Sequence, residues 1–299
     1  MKIVSTGSLG HIGLPLTKKL VADGHTVTVV SSSEQRRRPI EALGAMAAIG
    51  SLQDVDFLTE TLAGADLLYG MVPPDYSQPD YISFYQELGR NYVQAIQQTN
   101  TRRAIFLSTY GAELAEGNGI LRGAYLLERE VDRLRNTDVT LIRPTYFYYN
   151  LLGLIGTIRA SGDIMANFGG PQAFALVAPE DIATAIADEV ATEGHHHRVR
   201  YVYSDERTGD EVAAVLGRAI GRPDLQWMVI SDEAMQQGLR QAGLSIEFAA
   251  GLTEMYRALR EGRLSRGFDA HRPASPGSIT LEDYVPAFAA AFAARSTPS

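Results

Sequence analysis

Three glycines, Gly7, Gly10 and Gly13, recur every third residue between a short apolar strand (Ile3, Val4) and a helix predicted over Leu14 to Ala22. Glycine lets a backbone turn tightly and approach a pyrophosphate, and a helix start offers free N–H groups and a positive dipole end. Between two strands and a helix, the spacing predicts a dinucleotide site, with Gly7, Ser8, Leu9, Gly10, His11 and Ile12 around the phosphates. The competing reading is close helix–sheet packing alone. The second strand, Thr26 to Val30, runs into Ser31 and Ser32, with Arg36, Arg37 and Arg38 shortly after. An acid there would accept from a ribose 2′-OH, whereas hydroxyls and guanidinium groups suit a 2′-phosphate. Ser31, Ser32 and Arg36 therefore predict NADP in preference to NAD. The alternative is that the arginines form a solvated helix face.

Other residues are set aside on chemical grounds. His195, His196 and His197 follow Gly194 in a predicted surface loop, where consecutive side chains point apart and no nearby acid or cysteine completes a tetrahedral set. No metal is expected. Glu128, Glu130 and Asp132 are expected on a solvated helix surface rather than as a hydrolytic dyad. Neither a G-x-S-x-G elbow nor a Walker lysine motif occurs.

The elements that must position these residues alternate. Beyond the first βαβ unit, strands are expected at Ala45 to Ile49, Ala65 to Val72, Arg103 to Ser108 and Val139 to Ile142. Helices are expected at Asp54 to Leu62, Tyr81 to Gln98 and Leu121 to Arg135. This alternation predicts an α/β fold, a doubly wound and mostly parallel sheet. Residues 1–150 would form the nucleotide-binding domain, with its sheet completed by about 178–204. Residues 151–299 would form a smaller, mainly helical portion interwoven with it. Thr280, with Asp283 three residues on, is expected to cap the closing helix.

At 299 residues and 45% hydrophobic content the chain can bury a large core. A net charge of −8 argues against a nucleic-acid partner, because phosphate contacts need clustered Lys and Arg. Without cysteine there is no disulfide framework and no thiol nucleophile. The first strand begins at once, leaving no room for a leader, and no apolar run approaches the roughly 20 residues that span a bilayer. A soluble, cytoplasmic protein without membrane partners is expected.

The opening Thr6-Gly7-Ser8-Leu9-Gly10-His11-Ile12-Gly13 resembles the GxxGxxG loop of the NmrA-like, atypical short-chain dehydrogenases/reductases. The likeness continues in Ala63-Gly64-Ala65-Asp66, Met71-Val72-Pro73-Pro74, Phe106 to Ala112, Leu141 to Asn150 and Pro179-Glu180-Asp181-Ile182-Ala183. These landmarks keep the family's order over nearly the whole chain. The resemblance implies a Rossmann domain with a smaller C-terminal substrate domain, NAD(P) binding, and cofactor contacts that include Val72, Pro73, Ser108, Thr109 and Pro144. It also implies one of two roles: a reductase of quinones or other aromatic compounds, or a redox-sensing regulator without turnover that acts on a protein partner.

The wider superfamily pairs a serine with Tyr-x-x-x-Lys, in which the tyrosine passes a proton to the substrate and the lysine lowers its pKa. Ser108 stands where that serine belongs. Tyr125 is followed four residues on by Arg129 rather than lysine, so Tyr125 and Ser108 are the catalytic candidates by resemblance and Tyr110 is a rival. After the sixth strand, Tyr146, Phe147, Tyr148 and Tyr149 crowd the sheet's carboxyl edge. Tyr146, Phe147, Asn150 and Tyr110 are expected to line a pocket for a small, flat substrate. Core packing is the other reading for the aromatics.

Overall fold

The structure, a computed structural model, describes residues 1–75, 78, 80–192 and 198–294. The chain divides into two compact units. One comprises Met1–Ala115, Leu121–Pro144 and Ile182–Tyr201, and the other Glu116–Ile120, Thr145–Asp181 and Val202–Ser299.

The first unit is built from β1 (Lys2–Ser5), α1 (Gly13–Ala22), β2 (Thr26–Ser31), α2 (Arg37–Glu41), β3 (Met46–Ile49) and α3 (Val55–Leu62). It continues with β4 (Leu67–Gly70), α4 (Tyr81–Thr99), β5 (Arg103–Leu107), α5 (Arg122–Val131) and β6 (Asp138–Pro144). Its seven-stranded sheet runs in the order strand Arg198–Val202, β6, β5, β4, β1, β2, β3. Neighbours among β1 to β6 are all parallel. Parallel neighbours need crossover helices, and these cover the sheet's faces, so central strands read as apolar runs. β4, Leu67-Leu68-Tyr69-Gly70, is buried at every position. Leu58, Leu88, Tyr92, Phe106, Leu127 and Val131 pack in one core with Leu68. This is the doubly wound Rossmann architecture, and the strand order reverses between β1 and β4, where such sheets open a ligand crevice.

Helix starts differ in a way that bears on the site. α3 and α4 begin on Asp54 and Asp80, whose carboxylates accept from the backbone N–H of Phe57 and Ser83. α1 has no side-chain cap and no acid in its first turn. α5 is shorter than the predicted Leu121 to Arg135, because a 3₁₀ turn at Gly119–Leu121 precedes it and the helix ends at Val131.

The second unit carries helices at Ile155–Ser161, Gly209–Ala219, Asp232–Gln241, Ile246–Arg260, Arg266–Ala270 and Leu281–Ala293. Thr280 and Asp283 form a reciprocal cap on the last of these. Two small sheets lie outside the sequence-based expectation. Tyr146–Phe147, Ala173–Val177 and Asp205–Thr208 form one, and Ile164–Ala166 pairs with Trp227–Val229 in the other. Tyr146–Phe147, Ile164–Ala166 and Trp227–Val229, two or three residues each, offer too few positions for alternation to register. A 3₁₀ segment, Tyr148–Leu154, leads into the helix that begins at Ile155. No helix among the described residues is long and apolar enough to cross a membrane.

Candidate functional site

The loop between β1 and α1 uses its glycines for different reasons. Gly7 has φ +89°, and a Cβ there would stand 2.5 Å from Met71 Sδ. A Cβ on Gly13 would fall 2.1 Å from the Ser8 carbonyl oxygen. The protein's own packing therefore requires both. Gly10 is exposed, and its nearest neighbour would be the Gly7 carbonyl oxygen at 3.4 Å, an ordinary contact. Nothing in the protein demands glycine at position 10, and the bare backbone there borders open space at the uncapped start of α1. In the first turn the Leu14 and Leu16 N–H groups bond the Gly10 and Ile12 carbonyls and Pro15 has none, so it is the loop backbone before the helix, with the unopposed helix dipole, that suits a pyrophosphate. Ile12 is buried and anchors the loop, Leu9 is half-buried, and His11 is exposed.

A closed hydrogen-bond ring supports the loop from below. Met71 N–H donates to Thr6 Oγ1 at 2.9 Å, and Tyr92 Oη donates to the Met71 carbonyl at 2.7 Å. Thr6 Oγ1 and Tyr92 Oη lie 2.8 Å apart, and with the tyrosine proton on Met71 the threonine supplies that bond. Burial pushes the Tyr92 phenol well above its ordinary pKa, so it remains a donor. The ring ties the end of β1 to the end of β4 through α4. Beyond it, Val72 is buried and Pro73 half-buried.

At the end of β2 the buried Ser31 hydroxyl oxygen accepts from Ser8 Oγ at 3.0 Å and from Ser33 N–H at 3.2 Å. Ser32 is exposed beside it. Of the three arginines, Arg36 and Arg37 differ in what they hold. Arg37 forms a two-pronged pair with Glu34, which holds that carboxyl below its ordinary pKa. Arg36, also exposed, has no side-chain partner among the described residues. One guanidinium near the strand end is thus committed to an acid and another is free.

Between β5 and β6 lies a buried ionic network. Ser108 Oγ donates to Glu128 Oε1 at 2.5 Å. Arg143 grips the same carboxylate with two prongs, Nε to Oε1 at 2.9 Å and Nη2 to Oε2 at 2.6 Å. Its Nη1 donates to Glu113 and to the Tyr201 hydroxyl, both at 2.9 Å. Glu128 is fully buried, and Ser108 and Arg143 are each 7% exposed. The expected solvated helix surface is corrected here. Glu128 serves this network, and the buried Glu130 takes Arg90, Arg133 and Gln86. Helical spacing places Glu128 on the same face as Ala124, Leu127 and Val131, and its buried carboxylate is satisfied there by Arg143 and Ser108. Neither Glu128 nor Arg143 was singled out as a site residue by the sequence; the signal available was an arginine and proline closing an apolar strand.

Tyr125, half-buried on α5, has the Arg129 guanidinium over its ring, 5.5 Å from the centroid, and Arg129 also pairs with Asp132 at 2.7 Å. Tyr110 is buried, and its N–H bonds the buried Pro144 carbonyl at 3.0 Å; Thr109 is half-buried. The structure therefore gathers the glycine loop, Ser31, Ser32, Arg36, Val72, Pro73, Ser108, Thr109, Tyr110, Tyr125 and Pro144 in the first unit.

Tyr146, Phe147 and Asn150 belong to the second unit. Tyr146 is buried against Phe168 and Phe174, with centroids 5.6 and 5.5 Å away. Phe147 stacks on Tyr149, and Tyr148 is buried with its hydroxyl on the Ile279 carbonyl. The four aromatics thus alternate between core and partly exposed positions, and Asn150 is half-buried. Histidines 195 to 197 lie outside the described residues, among which no group of three or more metal-ligating side chains occurs.

Residues 7–193 match the model of a family described as NAD(P)H-binding. Over 125 residues the chain is 30% identical to a 4-hydroxy-2-methyl-3-oxo-4-farnesyl-3,4-dihydroquinoline-1-oxide ketoreductase of Stigmatella aurantiaca. That match covers 41% of this chain and 37% of the relative's length. The triphenylmethane reductase of Citrobacter sp. superposes with a TM-score of 0.80 at 18% identity, covering 97% of this chain and 100% of that one. An NADPH-dependent quinone oxidoreductase of Escherichia coli, solved with NADPH, superposes with a TM-score of 0.80 at 19% identity, covering 95% and 99%. At such identities these two structures speak for the fold.

Proposed function

The chain belongs to the NAD(P)H-binding family, of the NmrA-like short-chain dehydrogenase/reductase type, and from this we propose that it is an NADPH-dependent oxidoreductase acting on a small aromatic or quinone-like acceptor. The observation that carries the NADPH reading is the end of β2. The Ser31 and Ser32 hydroxyls and the free Arg36 stand there, while the nearby Glu34 is neutralised by Arg37. Such a set attracts a 2′-phosphate and offers no carboxylate to a bare ribose.

When bound, the nicotinamide supplies the hydride. The protein's part is to hold and orient. The Gly7–Gly13 loop and the start of α1 receive the pyrophosphate, and Val72, Pro73, Thr109 and Pro144 line the sheet edge. Ser108 holds its hydrogen on Glu128 and does not deliver a proton. Arg129 pairs with Asp132 and replaces a lysine ammonium poorly. Both facts favour an acceptor, such as a quinone, whose reduced form carries its negative charge without an immediate protein acid. Tyr125 remains the half-buried phenol available as a proton source, with Tyr110 of the same unit as a candidate substrate contact.

Titration with NADPH and NADH, followed by loss of absorbance at 340 nm against a panel of quinones and ketones, tests this reading. Tighter NADPH binding with quinone turnover is expected, and a folded sample that binds neither nucleotide would refute it. The weak acid–base machinery also supports a second reading, an NADP(H)-binding redox sensor that changes protein partners. Tight binding without turnover across the panel would favour the sensor.

A further inference from the structure

Ser108 stands where the superfamily serine belongs, and in this chain its hydrogen is already directed at a neighbouring carboxylate. A hydroxyl has one hydrogen and two lone pairs. The Ser108 hydrogen points at Glu128 Oε1, 2.5 Å away, within the range of a charge-assisted bond. Glu128 has no route to release it. The residue is fully buried and both of its oxygens accept from the Arg143 fork, so neither offers a hydrogen back to Ser108. Arg143 is itself braced by Glu113 and Tyr201. Turning the hydroxyl away would leave a dry carboxylate short of one strong bond. The backbone N–H of Ser108 is also taken, by the Ile142 carbonyl at 2.8 Å. What Ser108 presents at the carboxyl end of β5 is therefore an oxygen with lone pairs, and no described residue donates to it.

We propose that Ser108 is an obligate hydrogen-bond acceptor that takes the carboxamide N–H₂ of a bound nicotinamide. The inference rests on the NADP reading above. Ketone and quinone oxygens are acceptors only, so the Ser108 lone pairs repel them. The carboxamide is the group at the nicotinamide end of the cofactor that carries N–H donors. Glu128 and Arg143 are positioning residues that set this polarity without touching ligand.

The test is calorimetric titration with NADP⁺ and with its 3-acetylpyridine analogue, in which a methyl ketone replaces the amide and removes both donors. The unaltered protein should prefer NADP⁺ by about tenfold, the worth of one hydrogen bond. Ser108→Ala, shown folded by its melting transition, should bring the two ligands to within about twofold. If Ser108→Ala does not fold, Ser108→Cys, a close mimic in shape with a weakly accepting sulfur, serves in its place. Unaltered protein that does not discriminate, or a folded variant that discriminates as before, overturns the proposal while leaving NADP binding intact. A folded, unaltered protein that binds neither ligand overturns the cofactor reading itself.

Discussion

Arg143 and Glu128 meet as a fork on a carboxylate, 2.9 and 2.6 Å apart at the two prongs, with the acid wholly removed from solvent. Through Ser108 and Tyr201 this pair ties the end of β5, helix α5, the end of β6 and the sheet-edge strand Arg198–Val202 into one unit.

Breaking the pair leaves a buried charge without its partner. Glu128→Ala or Arg143→Ala is expected to lose about 3–5 kcal/mol of folding stability, whereas the joint replacement Glu128→Leu with Arg143→Met loses much less. Urea unfolding of the three variants measures this. Equal losses in single and double variants would show that the pair is not what holds these elements.

The glycines should separate structure from binding. Gly13→Ala would press a Cβ to within 2.1 Å of the Ser8 carbonyl oxygen, so the loop must move and the melting temperature should fall. Gly10→Ala meets only an ordinary contact, so stability should change by no more than about 0.5 kcal/mol. Dinucleotide affinity should nevertheless drop, because the methyl occupies the space into which the phosphates would approach. Melting curves and fluorescence titration of both variants give the comparison.

The arginines after β2 differ in what they already hold. Arg36→Ala should weaken NADPH binding about tenfold to a hundredfold, as expected for a lost charge-assisted hydrogen bond, and leave NADH binding unchanged. Arg37→Ala removes the partner of Glu34 and should free an acid beside the ribose, shifting preference toward NADH. Competitive titration of the two nucleotides reads both effects, and an Arg36 variant that loses neither would remove this residue from the site.

Helix α4 carries a pH-dependent cap. Hydrogen bonds from the Ser83 hydroxyl and N–H hold the Asp80 carboxyl below its ordinary value of 3.8. A carboxyl depressed on folding stabilises the protein above its unfolded pKa and loses that contribution as pH falls through the folded one. Asp80→Asn keeps a capping oxygen but does not titrate, so its stability should decline less steeply than that of the unaltered protein as acid is added below about pH 4. Thermal melts at a series of acidic pH values test this, and parallel declines would contradict it.

The Rossmann architecture and the family were legible in the chain because their determinants are local. Glycines at three-residue spacing, apolar runs broken by helical stripes, and a threonine three residues before an acid act within one or two turns of backbone. The same holds for the distinction between helix and strand in the first unit. In the second unit, strands as short as Tyr146–Phe147 escaped because two residues carry no readable period.

Hydrogen-bond polarity and burial of charge were decided only in three dimensions. Glu128 reads as a surface acid until Arg143, fifteen residues away, closes on it, and Arg143 is completed by Tyr201, a further 58 residues along. Ser108 reads as a catalytic candidate by its place after the fifth strand, and only the structure shows that this carboxylate claims its hydrogen. Likewise, Arg36 and Arg37 are equivalent in composition, and only the pairing with Glu34 tells the committed guanidinium from the free one. A side chain's chemistry depends on which partner reaches it and whether water does, and both are consequences of folding.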